Sequence, residues 1–336
     1  MQTQLCRLID NIQQKKILII GDMVADVYLH GDIERISREA PVLVLQYAKE
    51  RIIPGGATNV VHNAATMGGK VWPIGLLDHG KEGTYLREML AAKGVVVDGF
   101  LAEEGRPTVT KTRIIAGGQA TVSQQVVRID RGSAEPIHAD TEQAILDYLK
   151  EVLPEMDGVV MSDYGSGTIT APIREYILAE CRARGIVSIV DSRYDIASFK
   201  HVHYVKQNEA EASAATGIHI KDEPTLLAAG NKLLCELEAD GVLISRGADG
   251  MSLFLADGSV HHIPVTNVSE VFDVSGAGDT VVAVMILALA AGEEPLLAAQ
   301  ASNLAAGIAV RKLGTATVSA DELRKAAGDY YDSRQN

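Results

Sequence analysis

The stretch VFDVSGAGDTVVAV, Val271 to Val284, sets Asp273 and Asp279 on either side of Ser-Gly-Ala-Gly and runs into an apolar segment of helical character. One aspartate would be enough to cap a helix. Gly276 and Gly278 let the backbone approach a ligand closely and turn its N–H groups outward. A helix beginning near Ala277 adds the partial positive charge of its N-terminus at the same place. A turn of this kind stabilises an anion, such as a phosphoryl group in transfer. Asp279, inside the first helical turn, is placed to accept a proton from an attacking hydroxyl. Asp273 precedes the turn and is read as ordering the loop or facing cations, a monovalent ion among them.

The elements that must hold this turn are legible in the rest of the chain. KILIIGD (Lys16 to Asp22) is a short buried strand running into a loop. From about residue 140 onwards, helical stretches such as TEQAILDYLKEVL and APIREYILAECRARG alternate with strands such as GVVMSD and VSIVDS. That rhythm predicts an α/β fold with a mostly parallel sheet covered by helices on both faces. Two β-rich patches interrupt it. One spans about 24–53 and contains the alternating PVLVLQYA; the other spans about 106–131, where TVTKTRIIAGGQATVSQQVVRID reads as a long hairpin around Gly117-Gly118. Together they predict a small β-sheet lid on one main domain that occupies residues 1–336. Alternation puts Lys111 and Arg113 on one face of a strand. With Arg128, they are the natural place for a clamp on a substrate phosphate, and Arg35 is a further candidate of the same kind. The plainer alternative is a solvated edge-strand face that resists aggregation.

Composition narrows the classes of function. The chain has 31 Lys and Arg against 44 Asp and Glu, a formal charge of −13, which argues against a general nucleic-acid binder. Cys6, Cys181 and Cys235 fit neither a zinc pattern nor a disulfide framework, so a reducing cytoplasm is the expected compartment. The N-terminal MQTQLCRLIDNIQQKK lacks an apolar signal core, and no apolar run reaches membrane length, so no membrane partner is expected. His201 and His203, and the pair His261-His262, lack a third spaced ligand and are not read as a metal site. No G-x-x-x-x-G-K-[ST] loop occurs, and GDMVAD after the first strand is not G-x-G-x-x-G, which sets aside the P-loop and nicotinamide readings.

DVSGAGDT resembles the C-terminal signature of the ribokinase/PfkB carbohydrate kinase family, D-[TS]-x-G-A-G-D. PGGATNVVHNAATMGG is similar to that family's N-terminal Gly-Gly signature, KQNEAEA to its N-x-x-E element, and ISRGADGMSLF to its nucleotide-loop strand and hairpin. These segments fall in the family's order across nearly the whole chain. Within the family, the resemblance is closest to heptose-7-phosphate kinases, including the kinase half of the bifunctional ADP-heptose synthesis proteins. It rests on GDMVADVYLHGDIERISREAPVLV, PGGATNV, MSDYGSG, DVSGAGDTVVAV and RKLGTATVS. Phosphorylation alone is the step expected of this chain.

The resemblance implies a ribokinase-like three-layer sandwich that uses ATP and Mg²⁺, with K⁺ as a candidate monovalent ion, a sugar or sugar-phosphate acceptor and a homodimer. It assigns Asp279 as the base, with Gly276, Ala277 and Gly278 as the anion hole. It gives Asp26, Gly56 and Asn59 to the sugar hydroxyls, and Asn208 and Glu211 to magnesium through water. Ser245, Gly247 and Gly250 would line the nucleotide phosphates and ribose, and Asn303 the adenine pocket. Each has a plainer reading from the residues alone. Asp26 could cap a loop, Asn59 could be an N-cap and Glu211 a first-turn acid; Ser245 could be strand-end polarity, Gly247 and Gly250 hairpin glycines, and Asn303 a helix-surface amide. Two positions depart from the heptose kinases. SDYGSG has Ser166 where a lysine is usual, and DSRY has Ser192-Arg193 where Pro-Lys is usual. Arg193 can replace a phosphate-binding lysine, whereas Ser166 supplies no charge. A catalytically silent nucleotide-binding regulator on the same fold is the rival from another class, and the intact GAGD and NEAE speak against it.

Overall fold

The computed structural model describes residues 2–118, 121–265, 273–312 and 314–332. In chain order its main elements are α1 (Gln2–Asn11), β1 (Lys16–Gly21), β2 (Met23–Ile36), β3 (Leu43–Gly56), α2 (Ala57–Thr66), β4 (Lys70–Leu76), α3 (Lys81–Ala91), β5 (Phe100–Leu101), β6 (Val109–Gly118) and β7 (Thr121–Arg131). They continue with α4 (Ala139–Val152), β8 (Gly158–Asp163), α5 (Ala171–Arg184), β9 (Val187–Ser192), β10 (Tyr204–Asn208), α6 (Glu209–Thr216), α7 (Glu223–Leu237), β11 (Gly241–Ser245), β12 (Met251–Leu255) and β13 (Val260–Ile263). The chain closes with α8 (Ala277–Ala290), α9 (Pro295–Ala309) and α10 (Ala320–Asp332).

Among the described residues, the large sheet runs β13-β12-β11-β10-β9-β8-β1-β4-β5. Its pairs are parallel except for the β11-β12-β13 meander at one edge. The continuous apolar run in β1 follows from its central place. Ile17 and Ile19 enter the core layer with α2, α8 and α9, while Leu18 and Ile20 enter the opposite layer with α4, α5 and α7. A strand buried on both faces has no polar side to alternate with. Every residue from Asp279 to Ala288 of α8 is buried for a similar reason, since α8 packs against the sheet, α2 and α9. The layers form the α/β sandwich with helices on both faces that the sequence rhythm predicts.

The second sheet, β3-β2-β6-β7, is the lid. β2 leaves the body as it runs: Met23 to Val27 are buried, and the strand's last five residues are exposed. It therefore carries Asp26 at the root of the lid. β6 lies parallel to β2, with Lys111 opposite Asp26 and Arg113 opposite Tyr28. β7 returns antiparallel, setting Arg128 opposite Arg113 and Asp130 opposite Lys111. The lid's four strands lie within residues 23–56 and 109–131. Positions 119–120, between β6 and β7 in the chain, lie outside the described residues.

Candidate active site

The C-terminal ends of β8, β9 and β10 face the first turn of α8 across a cavity of about 260 Å³. Its lining includes Tyr164, Asp191, Arg193, Lys206, Asn208, Glu211, Gly276, Gly278 and Asp279. Open parallel sheets bind ligands beyond the carboxyl ends of their strands, where the chain must leave one layer for another.

Asp279 is buried, and both of its carboxylate oxygens are held. Asn59 Nδ2, from α2, donates to Oδ2 at 2.7 Å, and the Tyr164 hydroxyl donates to Oδ1 at 2.8 Å. Burial pushes its pKa up to about 6, further than the two hydrogen bonds and the Lys206 charge pull it down. Asn59 is fixed in turn by Asn63, whose Nδ2 donates to Asn59 Oδ1 at 3.1 Å, and Asn63 also accepts from Thr280 of α8.

The glycines beside Asp279 are close-approach positions. Gly276 has a φ of 79°, and a Cβ there would lie 2.6 Å from Asn59 Nδ2. A Cβ on Gly278 would lie 2.8 Å from Lys206 Nζ. Ala277 N–H makes a long contact of 3.3 Å with the Val274 carbonyl. The N–H groups of Gly278 and Asp279 have no acceptor among the described residues. The turn thus presents free amides and a lysine to one small volume, which suits an anion such as a phosphate.

Lys206 is buried in β10 and bonded to Asp191 Oδ2 of β9 at 2.9 Å. Burial disfavours its charge, but Asp191, Glu211 and Asp279 outweigh that, and its pKa is raised. Neither Lys206 nor Asp191 stands out in a linear reading, although a lysine inside the short strand HYVKQN is itself a signal. A charged residue on a central parallel strand needs a partner or a ligand. Asp22 and Tyr164 likewise carry no local signal of their roles. Asp22 accepts from the N–H groups of Tyr164 at 2.8 Å, Ser166 at 2.9 Å and Thr168 at 3.4 Å, and so fixes the DYGSG loop.

Asn208 and Glu211 both line the cavity, and they also form a reciprocal capping box at the start of α6. Glu211 N donates to Asn208 Oδ1, and Asn208 N donates to Glu211 Oε2, leaving Glu211 Oε1 toward Arg193 at 3.7 Å. Gly56 is the N-cap position of α2, with a φ of 52°, and leads into Asn59. Asp26 is buried and accepts from Arg113 Nη1 at 2.7 Å. Arg113 is thereby neutralised at the root of the lid. Burial lowers its pKa, but the bond to Asp26 more than offsets this, and the net shift is upward. Lys111 is half-buried, has no carboxylate within salt-bridge distance among the described residues, and lies 5.0 Å from the centroid of the Tyr164 ring. Arg193 lies 5.1 Å from the same centroid.

Other candidates lie away from this cluster. Arg128 makes a two-pronged contact with Asp130 on the exposed side of β7. Arg35 sits on the exposed outer part of β2 beside Glu34. Asp273 accepts from Ser275 N at 2.9 Å and Gly314 N at 3.1 Å, the loop-ordering geometry. Ser245 neighbours Asn208 in the sheet but does not line the cavity. Gly247 and Gly250 lie just beyond Ser245, and Asn303 on α9 donates to the Pro264 carbonyl at 2.7 Å. Of the histidines, His203 meets Ser188, His262 meets Ser252 and Glu223, and His201 meets Glu238. No cluster that could hold a metal through His, Cys, Asp or Glu alone occurs among the described residues.

The family model for pfkB family carbohydrate kinases matches residues 14–322. The chain belongs to the pfkB family of carbohydrate kinases. Membership of that family makes it a phosphotransferase. Curated relatives named "Bifunctional protein HldE" are 42% identical over 92% of the chain in Desulfatibacillum aliphaticivorans and 43% identical over 91% in Geobacter metallireducens. The chain spans about three fifths of their length, 62% and 61%. Among solved structures, the chain is similar to Arabidopsis thaliana ribokinase complexed with ribose and ATP, with a TM-score of 0.73 and 18% identity over 94% of this chain and 99% of that one. It is also similar to Escherichia coli phosphofructokinase-2 in complex with substrates and products, with a TM-score of 0.74 and 18% identity over 95% of this chain and 99% of that one. These likenesses show a pfkB-type fold, the ribokinase-like sandwich with its separate lid sheet. Among the described residues, no helix is long and apolar enough to cross a membrane.

Proposed function

We propose that this pfkB kinase transfers the γ-phosphoryl group of ATP to the anomeric hydroxyl of D-glycero-β-D-manno-heptose 7-phosphate. The product is the 1,7-bisphosphate, a precursor of ADP-heptose and the lipopolysaccharide core. The observation that carries the reaction type is the first turn of α8, where a buried carboxylate and free amides face one cavity. Asp279 takes the proton of the acceptor hydroxyl, whose oxygen forms the new bond to the γ-phosphorus as the bond to the β–γ bridging oxygen breaks and ADP leaves. The N–H groups of Gly278 and Asp279, with Lys206 behind them, receive the charge of the equatorial oxygens. Magnesium on the triphosphate supplies further positive charge there. Asn208 and Glu211 would hold it through water, and Glu211 Oε1, which the capping box does not use, fits that task. Each oxygen of Asp273 accepts one backbone N–H, from Ser275 and from Gly314, which orders the loop and leaves each oxygen a second lone pair that could face a monovalent cation.

The heptose assignment is supported by the HldE relatives across most of the chain and by the cations Lys111 and Arg193 beside the cavity. A half-buried ammonium without a carboxylate partner suits an anionic acceptor. An ATP-consumption screen over free sugars and their 1-, 6- and 7-phosphates tests this. Heptose 7-phosphate is expected to give the highest kcat/KM, and turnover of a free sugar in its place would overturn the assignment. Lys111→Met is expected to raise KM for the phosphorylated acceptor by about 10- to 100-fold, the loss of one charge-assisted contact. We also propose a homodimer in the cytoplasm. The lid leaves Ile36, Val42, Leu43, Val127 and Ile129 exposed, an apolar set suited to a second copy. Sedimentation at micromolar concentration should show twice the chain mass.

A further inference from the structure

Among the residues in contact with Asp279, one has no role in the reaction scheme. Tyr164 stands between the lid, the nucleotide side of the cavity and the proposed base. We propose that Tyr164 is a positioning residue: its hydroxyl fixes the Asp279 carboxylate while its ring seats Lys111 of the lid and Arg193, so that lid placement and base orientation are coupled. The inference rests on Asp279 acting as the base.

Rotation about the bond joining a carboxylate to its side chain is soft. Asp279 escapes this softness because donors from two different elements hold its two oxygens, Asn59 from α2 and Tyr164 from the loop after β8. Tyr164 is itself held. Asp22 accepts from its backbone N–H and from that of Ser166, and Asp163 Oδ1 accepts from Gly165 N at 3.0 Å. Arg106 Nη1 donates to the Ser166 carbonyl at 2.9 Å. Gly165 and Gly167 have φ values of 78° and 80°, which side-chain-bearing residues rarely adopt. The loop is therefore preorganised to aim one phenol.

The phenol also remains a donor. Burial, then the Asp279 charge, raises the Tyr164 pKa well above the ordinary tyrosine value, so the hydroxyl keeps its proton wherever the kinase works. The ring does a second task. Its electron-rich face attracts cations, and Lys111 and Arg193 lie 5.0 and 5.1 Å from its centroid. Lys111 belongs to β6, whereas Arg193 follows β9 and reaches Glu211. One side chain thus contacts the lid, the magnesium side and the base. The other charged groups acting on Asp279 are Asp191 of β9 and Lys206 of β10, which Tyr164→Phe leaves in place.

The test uses the full chain with MgATP and heptose 7-phosphate. Tyr164→Phe keeps the ring and loses the donor. It should lower kcat about tenfold while MgATP affinity, measured by calorimetry, stays at the wild-type value and confirms the fold. Tyr164 donation stabilises the ionised base, so its loss raises the base pKa. The acid limb of the kcat/KM profile should therefore move to higher pH by about one to two units. Tyr164→Leu loses the ring as well and should raise KM for the acceptor about fivefold above that of the Phe variant. An unmoved acid limb in Tyr164→Phe overturns the positioning role, and equal acceptor KM values in the Phe and Leu variants overturn the coupling to the lid. An active Asp279→Asn would instead overturn the base on which the inference rests.

Discussion

Asp279→Asn is expected to lower kcat by about 10²- to 10⁴-fold, the range for loss of a positioned general base. The amide keeps the shape of the carboxylate and can still meet Asn59 and Tyr164, so calorimetry should show MgATP binding near the wild-type affinity. Retained turnover would remove Asp279 from the mechanism. The same residue sets a pH dependence whose sign is fixed. Burial pushes its pKa up to about 6, the proposed mechanism makes the carboxylate the working form, and activity is expected to fall as pH drops through that value. At pH 5 roughly a tenth of the base remains ionised, and kcat/KM should have dropped accordingly from its plateau. In the proposed mechanism the upward shift favours proton transfer, because a base of ordinary aspartate strength would have little affinity for a hydroxyl proton. Above pH 7 the group is still overwhelmingly charged.

The parts of this site legible in the sequence are those that a local pattern can encode. Gly276 and Gly278 at the start of an apolar helix suggest an anion-binding turn, and the structure shows why neither admits a side chain: a Cβ would lie 2.6 Å and 2.8 Å from a nitrogen of another element. The alternation in TVTKTRII places Lys111 and Arg113 on one strand face, and β6 pairs with β2 so that Lys111 lies opposite Asp26 while Arg113 donates to it. Asn208 and Glu211 show the limit of such reading. The N-x-x-E element, to which the family resemblance gives magnesium, has the spacing of a capping box, and the structure shows the box in full. What remained hidden depends on sheet order. Asp191 and Lys206 meet because β9 and β10 are neighbours, and Tyr164 reaches Asp279 because β8 ends opposite α8. A linear pattern carries neither adjacency. It does carry the anomaly of a lysine in a buried strand, and that anomaly marks the buried pair of Lys206 and Asp191.

Lys206→Met tests that pair. Removing one member of a buried ion pair leaves the other without compensation, here Asp191, and such losses cost about 3–5 kcal/mol of stability. The Nζ of Lys206 also sits where a Cβ of Gly278 would touch it, beside the amides proposed to receive the transferred phosphoryl group. Loss of one such charge-stabilising donor costs about 10²- to 10³-fold in kcat. The two effects separate in the double variant Lys206→Met/Asp191→Asn, which carries no unpaired charge. Urea unfolding should show it recovering most of the stability lost in Lys206→Met, while steady-state kinetics should show kcat as low as in the single variant. Recovery of kcat along with stability would mean that Lys206 serves only the fold, and the positive charge behind the anion turn would have to come from magnesium alone. Failure of both to recover would show that Asp191 has a task of its own in the cavity, because its charge would then be needed even when Lys206 no longer is.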